Sequence, residues 1–100
     1  MSTEAKTEEK VSIQIDPPKM WKVIMLNDNT TPMEFVMELL MKIFKHDENK
    51  SRELILEIHN TGSSVVGVYA HEIAEQKALD ATQISRSNNF PLMIRLEAEE

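Results

Sequence analysis

Five consecutive polar residues, Asn27-Asp28-Asn29-Thr30-Thr31, interrupt an otherwise apolar stretch and gather amide, carboxylate and hydroxyl groups into one short loop. Such a set can hold a polar or cationic ligand by hydrogen bonds. The three histidines, His46, His59 and His71, add imidazole acceptors, but they fall on separate expected elements. No pair has the i,i+4 spacing with which a helix clamps zinc, so no metal site is expected. Cysteine is absent, which removes disulfides, thiolate metal ligands and a cysteine nucleophile. GxGxxG, GxxxxGK[ST], HExxH and GxSxG motifs are missing, and Gly62 and Gly67 alone are too few for a phosphate-cradling loop. Nucleotide chemistry is excluded, and no cofactor is expected.

Each of these groups also has a plain structural role open to it. His59 follows the apolar Ile58 near the end of an expected helix, where a histidine favours the helix dipole. Met33, Met37 and Met41 recur at i, i+4 and i+8, a spacing that suits a helix flank closing a core, although thioethers equally suit an adaptable binding wall. A polar loop before a helix start can be only a loop.

The elements that would position these groups follow from hydrophobic periodicity. Residues 1–18 mix Ser, Thr, Glu and Lys and close on Pro17-Pro18, as expected of a flexible arm; residues 19–100 form the one domain that a chain of 100 residues accommodates. Trp21 to Leu26 reads as a strand. Thr31-Pro32-Met33-Glu34 carries a helix-start signal, with Thr31 as N-cap, Pro32 at the first helical position and Glu34 completing a capping box. Phe35, Val36, Leu39, Leu40, Ile43 and Phe44 supply the apolar face of that helix. Asp47 is the expected cap of a second helix carrying Leu54, Ile55 and Ile58 and stopped by Gly62. Val65 to Tyr69 reads as a strand, His71 to about Arg86 as a third helix with Ile73, Ala74, Ala78, Ala81 and Ile84 inward, and Leu92, Ile94 and Leu96 as the period-2 pattern of a last strand. The order βααβαβ implies an α+β, two-layer fold with three helices packed on a small three-stranded sheet.

With 11 Lys+Arg against 17 Asp+Glu, the net charge is −6, which argues against nucleic acid or an anionic membrane surface as partner. The lack of an apolar export or spanning segment, together with the lack of cysteine, fits the cytoplasm.

The segments MWKVIMLNDNTTPMEFVMELLMKIF, ILEIH, VVGVYAHEIAEQK and FPLMIRL resemble, in unbroken order over residues 18–97, the ClpS family of bacterial protease adaptors. The resemblance implies a fold like the ribosomal L7/L12 C-terminal domain, with its sheet antiparallel. It further implies a monomeric, non-enzymatic adaptor that binds proteins with N-terminal Leu, Phe, Tyr or Trp (N-degrons) and delivers them to the ClpA unfoldase of the ClpAP protease. Carried over residue by residue, it places Asn27, Asp28, Asn29 and His59 around the substrate's α-amino group. Met25, Thr31, Pro32, Met33, Val36, Ile55, Ile58 and Leu92 fall on its hydrophobic pocket, with Met33 as the gate that excludes Val and Ile. Glu72 and Lys77 fall on positions that dock ClpA, and the arm before Met20 matches the extension needed for handover.

These roles are chemically coherent. An α-ammonium carries three N–H donors and wants acceptors, which an Asn oxygen, a carboxylate and a neutral imidazole provide. The positive start of the following helix would repel it, so the Asp28 charge has to outweigh that half charge. Two departures from the family pattern stand out. Asn29 replaces an acidic residue, implying weaker or more salt-sensitive amine recognition. Ile55 stands where relatives carry Met, implying a stiffer deep end less adapted to Trp. Two other readings compete: a hydrolase using Asp28 and His59 as acid and base, which lacks a nucleophile, and a stalk-like interaction domain, which has no need of converging polar groups beside an apolar pocket.

Overall fold

A run of apolar, partly β-branched residues forms β1 (Met20–Leu26) at the centre of the sheet in a computed structural model, which describes residues 16–100. The arm expected over residues 1–18 therefore lies, up to Ile15, outside the described residues. After β1 come α1 (Met33–Lys42), α2 (Glu48–Thr61), β2 (Ser63–Ala70), α3 (His71–Ser87) and β3 (Ile94–Ala98). The order is the βααβαβ read from the periodicity, and the sheet is antiparallel with strand order β2-β1-β3.

Val23 and Met25 are fully buried on the face of β1 that meets the helices, and Leu40, Val66, Leu39, Leu54 and Phe44 complete the core around them. Each such side chain contributes about 1.5–3 kcal/mol on burial. Ile24 points to the other face, yet it too is buried because Val65 and Arg95 stand directly opposite it on the two neighbouring strands. The pairing of β1 with β2 slips by one residue between Val23 and Ile24, a β-bulge that leaves Val66 without an opposite number. The Val66 carbonyl takes its hydrogen bond from His46 Nε2 at 2.6 Å, so this backbone group stays satisfied.

Asp47 caps α2 as its type predicts, accepting from the Lys50 N–H at 2.7 Å, and Gly62 ends the helix at φ 95°, a left-handed conformation that suits glycine. The start of α1 differs from expectation. Thr31 does not cap it; Pro32 occupies the N-cap position, with no side-chain cap bond. The Thr31 hydroxyl donates instead to Asp28 Oδ2 at 2.7 Å, because a bond to an ionised acceptor is roughly twice as strong as a neutral one.

Helix α3 lies across all three strands, and here the inward set is also corrected. Ala74, Ala81 and Ser85 are completely buried, whereas Ile73 and Ile84 are 52% and 42% exposed. The close-packed stripe is 74, 78, 81 and 85, and Ile73 and Ile84 each lie about 100° around the helix from it. Small residues win the contact because they let the helix backbone approach the sheet. Lys77, on the same helix, donates to the Ile43 carbonyl past the end of α1 at 2.7 Å, with its ammonium 5.4 Å from the centre of the Tyr69 ring.

Candidate functional site

Strand β1 ends where both of its neighbours hold it: the Leu26 N–H donates to the Met93 carbonyl at 3.0 Å, and the Asn27 N–H to the Gly62 carbonyl at 2.9 Å. The chain then turns through residues 27–31 into α1. One side chain shapes that turn. Asp28 Oδ1 accepts from the backbone N–H groups of Thr30 (2.7 Å) and Thr31 (2.8 Å), while Oδ2 accepts the Thr31 hydroxyl. This is the local Asx geometry to which a short carboxylate side chain is suited. Burial is the largest single influence on the Asp28 carboxyl and pushes its pKa up. The hydrogen bonds from the Thr31 hydroxyl and from the Thr31 and Thr30 N–H groups, with the charge of Arg86, outweigh it and hold the carboxyl below its ordinary value.

Beside this loop lies a cavity of about 210 Å³. Met25 and Leu26 of β1, Val36 of α1, Ile55 and Ile58 of α2, and Leu92 ahead of β3 supply its apolar wall. Met25, Ile58 and Leu92 are buried, so the deep end is apolar, and Met33 is 56% exposed, at the surface end of the wall. Asn27, Asp28, Asn29, Thr31 and His59 line its polar side. For scale, a dry apolar cavity of about 150 Å³ holds a benzene ring. The space therefore admits a large apolar side chain, with hydrogen-bonding groups at one end.

The acceptors at that polar end are not equivalent. Among the described residues, no hydrogen bond engages the side-chain amides of Asn27 and Asn29 or the ring of His59, and Asn27, Asn29 and His59 are exposed. Asp28 is the one carboxylate among the described lining residues, but three acceptor positions of its carboxylate already serve the loop. A carboxylate offers about four, so Asp28 brings its charge and roughly one remaining acceptor position to a ligand.

The structure thus gathers every residue expected at the site except Pro32, an exposed residue that caps α1 and does not line the cavity. Leu26 belongs to the lining and is not among the residues expected from the sequence. Strand alternation assigns it to the face opposite Met25, so the apolar pattern of β1 gives no sign of its place at the cavity. Glu72 is exposed in the first turn of α3, while Lys77 is half-buried and bonded to the Ile43 carbonyl just past the end of α1. Five residues apart on one helix, the two point about 140° away from each other. They do not share one patch. No three His, Cys, Asp or Glu side chains converge on a possible metal position among the described residues, and no described helix is long and apolar enough to cross a membrane.

Residues 16–95 match the family model described as ATP-dependent Clp protease adaptor protein ClpS. An ATP-dependent Clp protease adapter protein ClpS from Sodalis glossinidius is 43% identical over 90 residues, spanning 90% of this chain and 85% of its own. A protein of the same description from Escherichia coli O127:H6 is 42% identical over 94 residues, spanning 94% and 89%. The solved structure of Agrobacterium tumefaciens ClpS2 bound to L-phenylalaninamide superposes with a TM-score of 0.80 at 42% identity, covering 83% of this chain and 100% of that one.

Proposed function

Because the chain belongs to the ClpS family of Clp protease adaptors, we propose that it binds proteins through a free N-terminal Leu, Phe, Tyr or Trp and delivers them to the ClpAP protease. The observation that carries this reading is the cavity itself, apolar at one end and rimmed with hydrogen-bond acceptors and one carboxylate at the other. An amino-terminal residue has the matching two-ended chemistry, a large apolar side chain next to a cation. The ligand held by the Agrobacterium neighbour, L-phenylalaninamide, has that chemistry in its smallest form.

In this reading the three N–H donors of the ammonium are shared among the free amide oxygens of Asn27 and Asn29, the remaining position on Asp28 and a ring nitrogen of His59. The side chain fills the space between Met25, Ile58 and Leu92. Met33 stands at the mouth, where it hinders a branch at Cβ. Charge-assisted hydrogen bonds contribute about 1.5–3 kcal/mol each and a buried Leu or Phe about as much again. Association costs of at least about 4 kcal/mol are subtracted from that sum. The remainder is modest, about 8 kcal/mol or micromolar at its favourable end, which suits a carrier that must release. Glu72 and Lys77 are the proposed contacts for ClpA on α3; Lys77 would engage it with the two ammonium donors left over from the Ile43 bond.

The protein makes and breaks no bond in this scheme. The one hydroxyl in the lining, that of Thr31, donates to a carboxylate whose lowered basicity makes it a poor general base. Fluorescence-anisotropy titration with peptides starting in Leu, Phe, Ile or Ala, and with N-acetyl-Leu, tests the reading. Leu and Phe peptides bind in the micromolar range, whereas Ile, Ala and acetylated peptides bind at least about tenfold more weakly. Equal binding of free and acetylated Leu peptides refutes ammonium recognition.

A further inference from the structure

We propose that Arg86 is a positioning residue for the cavity, its guanidinium holding the Phe90–Leu92 segment so that Leu92 forms a rigid wall for the bound side chain. The ligand side of this proposal rests on the N-terminal-residue reading above. Most apolar lining residues sit on strands or helices whose backbone bonds hold them in place. Leu92 does not, because it lies before β3 begins at Ile94, in a stretch entered through Asn89 in a left-handed conformation at φ 64°. It is nevertheless only 2% exposed.

Arg86, at the C-terminal end of α3, supplies the missing order. Its Nη1 donates to the Leu92 carbonyl at 2.8 Å and to the Phe90 carbonyl at 3.0 Å, and Nη2 lies 3.6 Å from Met93 Sδ. One planar group thereby ties together three residues of the irregular segment, from two nitrogens held in a rigid plane that a single flexible ammonium nitrogen does not reproduce. The Phe90 ring adds an anchor, meeting Phe35 of α1 edge-on with centroids 4.8 Å apart. Without Arg86 the Phe90 and Leu92 carbonyls lose this donor, and between the Phe90 N–H on the Ser85 carbonyl and the Met93 carbonyl on the Leu26 N–H only the apolar contacts of Leu92 hold it. The charge of Arg86 also reaches Asp28, so the same side chain touches both ends of the site by different means.

Two variants separate these effects: Arg86→Lys keeps the cation but not the fork, and Arg86→Gln removes both. The methyl NMR signals of Leu92 are recorded in the free protein, which is then titrated with L-phenylalaninamide and with L-alaninamide. Both substitutions shift and average the Leu92 methyl signals, and both lower the phenylalaninamide-to-alaninamide affinity ratio about five- to tenfold. In Arg86→Lys the alaninamide affinity stays within about twofold of wild type. Unchanged Leu92 signals with an unchanged ratio in Arg86→Lys overturn the proposal. So does an equal loss for both amides that parallels a loss of thermal stability, the mark of a merely structural residue. If the wild-type protein fails to tell free from acetylated peptides, the binding reading falls, and the Leu92 signals of the free protein still decide whether Arg86 positions that wall.

Discussion

Replacing Asp28 with asparagine isolates the charge of the site from the shape of its loop. In Asp28→Asn the side-chain amide oxygen would still accept from the Thr30 and Thr31 N–H groups, which now bond Oδ1 at 2.7 and 2.8 Å. Its NH₂ would donate to the Thr31 hydroxyl, reversing the 2.7 Å bond now made to Oδ2. The turn survives, and the negative charge beside the ligand ammonium is lost. Two unit charges about 4 Å apart attract by about 1 kcal/mol in water and about 4 kcal/mol at an effective dielectric constant of 20. Asp28 is only half-buried, so the lower part of that range applies, about 1–2 kcal/mol, and Kd for a Leu- or Phe-initiated peptide rises about 5- to 30-fold at low salt. Screening then narrows the gap, since the Debye length falls from about 30 Å at 0.01 M to about 3 Å at 1 M ionic strength. Anisotropy titrations of both proteins at the two ionic strengths read this directly. Amide exchange at Thr30 and Thr31 reports whether the turn has held. A gap below twofold at low salt, or a gap that salt leaves unchanged, refutes the assignment of Asp28 as the ammonium's counter-charge. Asp28→Ala, by contrast, also orphans the loop donors and costs about 1–3 kcal/mol of stability, visible as a lower midpoint in urea.

Four further outcomes are expected. Asn29→Asp adds a second carboxylate to the rim and tightens Leu-peptide binding a few-fold at low salt, with the gain vanishing near 1 M; no gain at low salt removes Asn29 from the ammonium site. Met33→Ala opens the mouth, so the affinity for Ile- and Val-initiated peptides approaches that for Leu within about threefold in the same titration. Gly67→Ala drives a Cβ into the Tyr69 ring that lies over Gly67, displacing the ring that Lys77 faces; about 1–2 kcal/mol of stability is lost, seen as a fall in Tm of several degrees. The pH dependence has a definite sign on each side. Folding holds the Asp28 carboxyl below its ordinary 3.8, so its contribution to stability is complete above that value and is lost as pH falls through the folded value. Peptide binding weakens instead on the alkaline side, tenfold per pH unit above about 8, as the peptide's own amine loses its proton.

Much of the fold was legible because its signals are local. Asp47 and Gly62 bracket α2 through bonds that span three or four residues, and alternation or helical spacing marks each strand and helix from its neighbours alone. The polar half of the site was legible for a similar reason, since Asn27 and Asp28, with Thr31-Pro32-Met33 close behind, form a short signature whose resemblance to a family carries His59 and Leu92 with it. Competition between partners is another matter. Thr31 has a good cap sequence, yet its hydroxyl turns to Asp28 because a carboxylate outcompetes a neutral partner, and no spacing rule ranks the two. Ile73 and Ile84 fit the apolar period of α3 but stay exposed, because the sheet selected the alanine stripe that permits closest approach.

Residue types and short-range order were therefore enough for the βααβαβ order, the acidic cysteine-free character and the identity of most groups that line the cavity. What depended on the assembled chain was how those groups share their bonding capacity. Three acceptor positions of Asp28 are taken up by its own loop, Lys77 is tied to the Ile43 carbonyl, and Arg86 reaches forward to hold Leu92. A hydrogen bond depends on distance and angle between atoms that folding brings together, and a donor or acceptor used once is no longer free. That exclusivity exists only in three dimensions, so a linear pattern can name the residues of a site without apportioning their work.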